Sequence, residues 1–402
     1  MNLIKQHKLT AFFVLYFGFT MASNFVHAVT PAFLQHINCS NSMFGFAFAA
    51  MAFGQFITSS LWGKLGDKIG YARSIALGFI GYGVSAILFS MATSWHLVII
   101  ARFIGGMSVA GTRVNSMAYL TSIDASSQDR SKLLVMYASM QSIGGAFGFL
   151  IGGIIGDVNL YYSFYAQFAA MISIALLSFM MVKEHSNFVR STEKVVLRDV
   201  NPLTSIKSGM KLINVTIGVF LVSAFLTMFA SRGFDQNFNY FLRVKFNFAP
   251  SSSGMFKAVV GIISLVINLT LNMWIVKKTN ISKSMCVTIM LAAVSIFAMV
   301  GSTNHTMVLF FALCYYAFFS MFNPLQQSVM LKNDDTSAKG AVAGLFNAAK
   351  AFGMMAGPTF AGLIFDINPD YAFLTFGATL VLASIVSYIN YLQLRKAGVY
   401  KD

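Results

Sequence analysis

Twelve long apolar runs, at roughly 9–35, 43–62, 73–93, 95–122, 133–156, 161–182, 213–242, 252–276, 284–301, 306–331, 340–365 and 370–394, fill this 402-residue chain. Each comes close to the ~20 residues that carry a helix across ~30 Å of hydrocarbon. A backbone in that medium must satisfy its own hydrogen bonds, so continuous apolar runs of this length form helices. The expected fold is an all-α membrane protein with twelve transmembrane helices. Composition agrees: 57% of residues are hydrophobic and 10% charged, and mean hydropathy is +0.69, outside the soluble globular range.

The formal net charge of +15 invites a nucleic-acid reading, but its placement argues against one. With the N-terminus inside, 21 of the 28 Lys and Arg residues fall in inner segments, from Lys5 and Lys8 through the 183–212 stretch to Arg395, Lys396 and Lys401. The outer loops hold Arg243 and Lys245. This positive-inside bias puts both termini in the cytoplasm of a cell whose plasma (inner) membrane the chain spans. The first run is too long for a signal-peptide core and reads as helix 1. Cys39, Cys286 and Cys314 are too scattered for a disulfide framework or a metal site.

The charged segment 183–212, with Asn201-Pro202, separates an expected six-helix bundle at 1–182 from a second at 213–402. The halves resemble each other. Gly148–Asn159 aligns with Gly357–Asn368, and Leu61-Trp62 with Met273-Trp274. Two parallel six-helix repeats with a site between them near the midplane is the architecture this implies.

Between spans 2 and 3 lies Gly63-Lys64-Leu65-Gly66-Asp67-Lys68-Ile69-Gly70-Tyr71-Ala72-Arg73, a short charged link rich in glycine. It resembles the loop 2–3 signature of the major facilitator superfamily, with Tyr71-Ala72 where a basic pair is usual. The resemblance implies that Gly63, Asp67, Lys68, Gly70 and Arg73 form a conformational switch holding the bundles together on the cytoplasmic side. Arg130, in the 4–5 loop, is the expected cation near Asp67. Arg102 opens Arg102-Phe103-Ile104-Gly105-Gly106, resembling the family's span 4 signature, whose arginine is associated with proton coupling or substrate binding.

In span 5, Gly144, Gly148 and Gly152 recur every fourth residue, and in span 11 Gly353, Gly357 and Pro358 repeat the theme. Small residues at this spacing make a smooth face for close helix packing. The span 5 pattern is also similar to the signature of the drug:proton antiporter branch, with Phe149 where that signature has proline.

Ionisable groups inside a bilayer cost at least ~2.5–3.5 kcal/mol on insertion scales and generally face the bundle interior. Arg102 and Arg113 lie within ~20° of one another on span 4, ~16 Å apart, making a cationic stripe. Arg113 has the plainer alternative of pairing with inner loops. Lys350 is ~15 Å into span 11, and the repeat places it opposite Gln141 of span 5. Lys257 sits near the outer end of span 8, where snorkelling accounts for it. Asp235 is the one acid placed well inside a span, a candidate proton carrier, although Arg232 at i−3 offers an intrahelical ion pair instead. In span 1, Asn24 and His27 occupy the approximately corresponding turn and are polar cavity candidates, and Tyr137, Asn115 and Asn347 are further hydrogen-bonding groups.

No nucleotide-binding, hydrolase or metalloprotease motif is present, so an enzyme is not expected, nor a cofactor or metal. The resemblance implies a secondary transporter working by alternating access, most similar to proton-coupled exporters of drugs or metabolites. The expected partners are protons, membrane lipids and a small-molecule substrate, with the protein itself a monomer. Three cations against one acid favour anionic or zwitterionic substrates. The alternatives are uptake or exchange of an anionic metabolite, flipping of an anionic lipid precursor, and a sensor that keeps the fold without transporting.

Overall fold

The computed structural model describes residues 3–123, 127–184, 188, 190–192, 213–332 and 339–396. Some side chains within its helices, including that of Arg130, lie outside this description. Among the described residues, twelve helical stretches are long and apolar enough to cross a membrane. Spans 1 to 6 are Leu9–His36, Ser42–Ile69, Tyr71–Ser90, Trp95–Thr121, Met136–Val158 and Leu160–Met181. Spans 7 to 12 are Val215–Phe246, Pro250–Val276, Ile281–Val300, His305–Gln326, Gly344–Phe365 and Pro369–Lys396.

Two compact units emerge. The first takes in Met1–Met43, Ala50–Pro202 and Leu242–Gly261; the second, Phe44–Ala49, Leu203–Phe241 and Ile262–Asp402. Within the first, span 3 lies against spans 4 and 6, and span 5 against span 1. Within the second, span 9 lies against spans 10 and 12, and span 11 against span 7. The second pattern is the first shifted by six spans, so the internal repeat seen in the sequence is also a repeat of packing.

Glycine makes these contacts possible. A Cβ on Gly152 would stand 2.5 Å from the carbonyl oxygen of Phe25 in span 1, and one on Gly148 would stand 2.9 Å from the Asn24 Cβ. Gly144 and Gly156 face Thr20 and Val29 on the same span. In span 11, a Cβ on Gly353 would lie 2.6 Å from the Phe225 carbonyl oxygen of span 7, while Gly357 abuts the Phe229 carbonyl. Aromatic clusters fill the space around these seams. Tyr16 stacks on Tyr137 at 4.4 Å in the first unit, and Phe234 meets Tyr315 at 3.9 Å in the second.

Three local features depart from a reading of plain, continuous spans. Span 1 is two helices, Leu3–Ala22 and Phe25–His36, interrupted at Ser23-Asn24. Asn24 Nδ2 donates to the Thr20 carbonyl at 2.8 Å, the kind of side-chain competition for backbone groups that disrupts a helix. Span 8 carries a π-helical turn at Asn268–Asn272, with Asn272 Nδ2 donating to Asn268 Oδ1 at 3.0 Å. Span 2 continues as helix to Ile69, so Gly63, Asp67 and Lys68 lie on its last turns rather than in a loop. The helix stops at Gly70, whose φ of +107° belongs to a region that side-chain-bearing residues avoid.

Adding a side chain at Gly152 forces backbone apart, because its neighbours are main-chain atoms of span 1. Gly152→Val is expected to cost about 1–3 kcal/mol by overpacking. Gly145→Ala, whose new Cβ would meet only the Asn24 amide at 3.6 Å, should stay within about 0.5 kcal/mol of the parent. Thermal denaturation of the two purified variants in detergent, monitored by size-exclusion profile, checks the contrast.

Candidate functional site

Several polar bonds converge where span 2 turns into span 3. Tyr71 Oη donates to Asp67 Oδ1 at 2.7 Å, one turn along the chain. Gly66 leaves room for Asn115, whose Nδ2 donates to the Gly111 carbonyl at 2.8 Å and the Trp62 carbonyl at 3.1 Å, tying span 4 to span 2. Gly63 is less confined, since a Cβ there would meet a Val114 methyl at 3.8 Å, an ordinary contact. Lys68 and Arg73 are exposed. Arg130, the cation expected near Asp67, falls outside the described side chains.

The residue that sequence reading missed here is Glu184. It follows span 6, in a stretch read only as the start of a charged linker. Its Oε1 accepts the Ala72 N–H at 2.6 Å, capping the first turn of span 3. A Cβ on Gly70 would lie 2.6 Å from that oxygen, so glycine is required there both for its dihedral and for the carboxylate's approach. The flanking chain is laid down around it: Ser191 N–H donates to the Asp67 carbonyl at 2.9 Å, Tyr119 Oη to the Lys183 carbonyl at 3.2 Å, and Phe188 packs edge-on against Tyr71 at 5.2 Å. Burial pushes the Glu184 carboxyl above its ordinary range, with the Ala72 N–H, Arg73 and Arg190 pulling the other way. A lone acid directly after an apolar span was the available signal.

Deeper in the first unit, Arg102 is buried, and its guanidinium donates to the Thr30 hydroxyl and lies 4.3 Å from the Phe89 ring centroid. Thr30 in turn donates to the Val26 carbonyl at 2.6 Å, leaving a lone pair for the arginine. Arg113 Nη1 donates to Gln55 Oε1 at 3.3 Å. The Nε atoms of both arginines are buried with no hydrogen-bond partner among the described residues. His27 Nε2 is 3.5 Å from Tyr82 Oη, which donates to the Ser23 carbonyl at 3.2 Å across the break in span 1. Asn24 spends its amide on Thr20, and Gln141 is exposed.

In the second unit, Asp235 Oδ1 accepts from Tyr316 Oη at 2.8 Å, linking span 7 to span 10. Arg232 and Asp235 are both half-buried, one turn apart. Lys350 lies within electrostatic range of Arg232, its Nζ 5.0 Å from the Phe346 ring centroid. Arg232 and Asp235 of span 7 and Lys350 of span 11 thus stand on the two helices joined by Gly353 and Gly357, with Pro358 following on the same helix. Asn347 is exposed.

A model of the Major Facilitator Superfamily matches residues 9–358. The chain belongs to this superfamily. Among its relatives, Multidrug resistance protein 2 of Bacillus subtilis is 24% identical over 374 residues, covering 93% of this chain and 92% of that one. The Quinolone resistance protein NorA of Staphylococcus aureus is 24% identical over 362 residues, covering 89% and 90%. Among solved structures, a bacterial homologue of the human lysosomal transporter Spinster, inward-facing and occupied, superimposes with a TM-score of 0.78 at 13% identity, covering 98% of both chains. This major facilitator protein is a multi-pass membrane transporter of small molecules rather than an enzyme.

The Glu184 cap has a pH signature. A carboxyl whose folded pKa exceeds its unfolded value binds more protons when folded, so stability falls as pH rises from the ordinary glutamate range through the raised value. Glu184→Gln keeps an acceptor for the Ala72 N–H and should flatten that part of the stability profile. Glu184→Ala removes the acceptor and should lower stability across the whole range. Melting temperatures measured from acidic to neutral pH separate the three proteins.

Proposed function

We propose that this transporter exports small organic molecules across the plasma membrane in exchange for protons, with both termini cytoplasmic. The observation that carries the reading is similarity over about nine-tenths of the chain to proteins named for multidrug and quinolone resistance. Asp235 supports the coupling. Among the described residues it is the acid furthest from a span end, and a carboxylate accepting from a tyrosine hydroxyl can exchange a proton while keeping a partner. Arg102, Arg113 and Lys350 support a preference for anionic or zwitterionic cargo, since cations within the spans favour negative charge arriving beside them. The same cations favour a second reading, exchange of one anionic metabolite for another, which needs no proton.

Proteoliposomes holding a trapped pH dye, with an imposed proton gradient and a panel of anionic, neutral and cationic solutes, distinguish the two. Coupled export predicts solute-dependent proton movement that falls at least roughly tenfold in Asp235→Asn, as loss of an intramembrane proton carrier should produce. Arg102→Ala is expected to lose solute and proton movement together. Solute flux with no accompanying proton movement in the parent protein would sink coupled export and favour anion exchange.

A further inference from the structure

The break in span 1 creates a second helix start within the first unit, at Phe25. The first N–H groups of a helix have no acceptor inside it and must find one elsewhere. Asn24 stands at the cap position but makes no capping bond, because its amide is given to the Thr20 carbonyl at 2.8 Å. Gln167 of span 6 supplies an acceptor from 141 positions away, its Oε1 taking the Val26 N–H at 3.3 Å. It is the one amide side chain of span 6 and is 2% exposed. Burying an amide in an apolar helix is costly unless its polar atoms find partners, so this bond accounts for its presence. Tyr82 of span 3 takes the other side of the break, donating to the Ser23 carbonyl at 3.2 Å, and its hydroxyl also interacts with the Gln167 amide.

The half-helix that begins at Phe25 carries Thr30, one turn beyond Val26. Thr30 donates to the Val26 carbonyl at 2.6 Å and accepts from the Arg102 guanidinium. Gln167, Val26, Thr30 and Arg102, all buried, therefore form one series running from span 6 through span 1 to span 4. A buried aromatic cluster packs beside it. Phe33 of the half-helix meets Phe89 at 5.2 Å and Phe164 at 4.9 Å, and those two rings are 5.3 Å apart. Phe89 is the ring beneath the Arg102 guanidinium, and Phe164 lies one turn before Gln167. Both neighbours of Arg102, hydroxyl and ring, thus lie on or against the second half of span 1.

We propose that Gln167 is a positioning residue. By capping Val26 it fixes the second half of span 1, and through Thr30 it sets the orientation in which the Arg102 guanidinium meets anionic cargo. The role in transport rests on the export reading; the positioning rests on the bonds alone. If Gln167 merely filled space, methionine, of the same length but without an amide, would replace it.

The test reads Arg102 directly. In purified full-length protein labelled with nitrogen-15 arginine, the Arg102 Nε–H resonance is assigned by its loss in Arg102→Lys. Gln167→Met should shift that resonance by more than its linewidth, and Thr30→Val should shift it as well. Adding Gln167→Met to Thr30→Val should then produce no further shift, because the series is already cut. Ser178→Ala, at another buried position of span 6, should leave the resonance in place. Should Gln167→Met fail to fold, Gln167→Asn, whose amide stops one methylene short, must move the signal instead. An unmoved resonance, an equal shift in Ser178→Ala, or a Gln167→Met shift that persists in the Thr30→Val background overturns the proposal, the last by routing the coupling through Tyr82. In proteoliposomes with the solute panel above, Gln167→Met should lower solute and proton movement together, roughly tenfold, as displacement of a functional group does. Unchanged movement overturns the role in transport. A parent protein that moves solute without protons sinks coupled export, while the resonance still decides the positioning.

Discussion

Helices in lipid gain little by hiding apolar surface from one another, because the surrounding chains are equally apolar. What holds such helices together is close van der Waals contact, and close contact needs the backbones themselves to meet. The glycine columns of spans 5 and 11 meet that need. Gly148 and Gly152 let span 5 lie on the backbone of span 1, and Gly353 and Gly357 let span 11 lie on that of span 7. Each seam also fixes polar groups. The break at Ser23-Asn24, the Tyr82 hydroxyl and His27 lie beside the first; Asp235, Arg232 and Lys350 belong to the helices of the second.

The handling of charge follows from the same medium. A bare cation in a low-dielectric interior is costly, and a carboxylate partner would neutralise the attraction for anionic cargo along with the cost. Aromatic faces and hydroxyls offer an intermediate solution. Arg102 rests on Phe89 and Thr30, Lys257 over Phe149, and Lys350 near Phe346. An aromatic face attracts a cation without removing its charge.

Most of the fold was legible because apolar length and glycine spacing act locally. The twelve spans followed from run length, and the glycine faces of spans 5 and 11 from a four-residue period. Features depending on contacts distant in sequence were not legible. Nothing around Ser23-Asn24 marks a helix break except a polar pair in an apolar run, and the π turn at Asn268–Asn272 shows only as two asparagines four apart. Gly63 to Lys68 read as a loop because charge and glycine signal one, yet packing against span 4 keeps them helical. For Lys257 the sequence shows depth alone, while the Phe149 ring beneath it comes from another helix.

The cap on span 3 has a consequence for how the protein is made. Ala72 receives its acceptor from a residue 112 positions later. At ribosomal rates of about 5–20 residues per second, that separation corresponds to roughly 6–22 seconds of synthesis. Through that interval the first turn of span 3 has entered the membrane without its native acceptor, and Gly70 holds open the place where the carboxylate will sit. The hairpin is finished only when the chain beyond span 6 returns to it, so the last step in building the first six spans closes a gap left near their beginning.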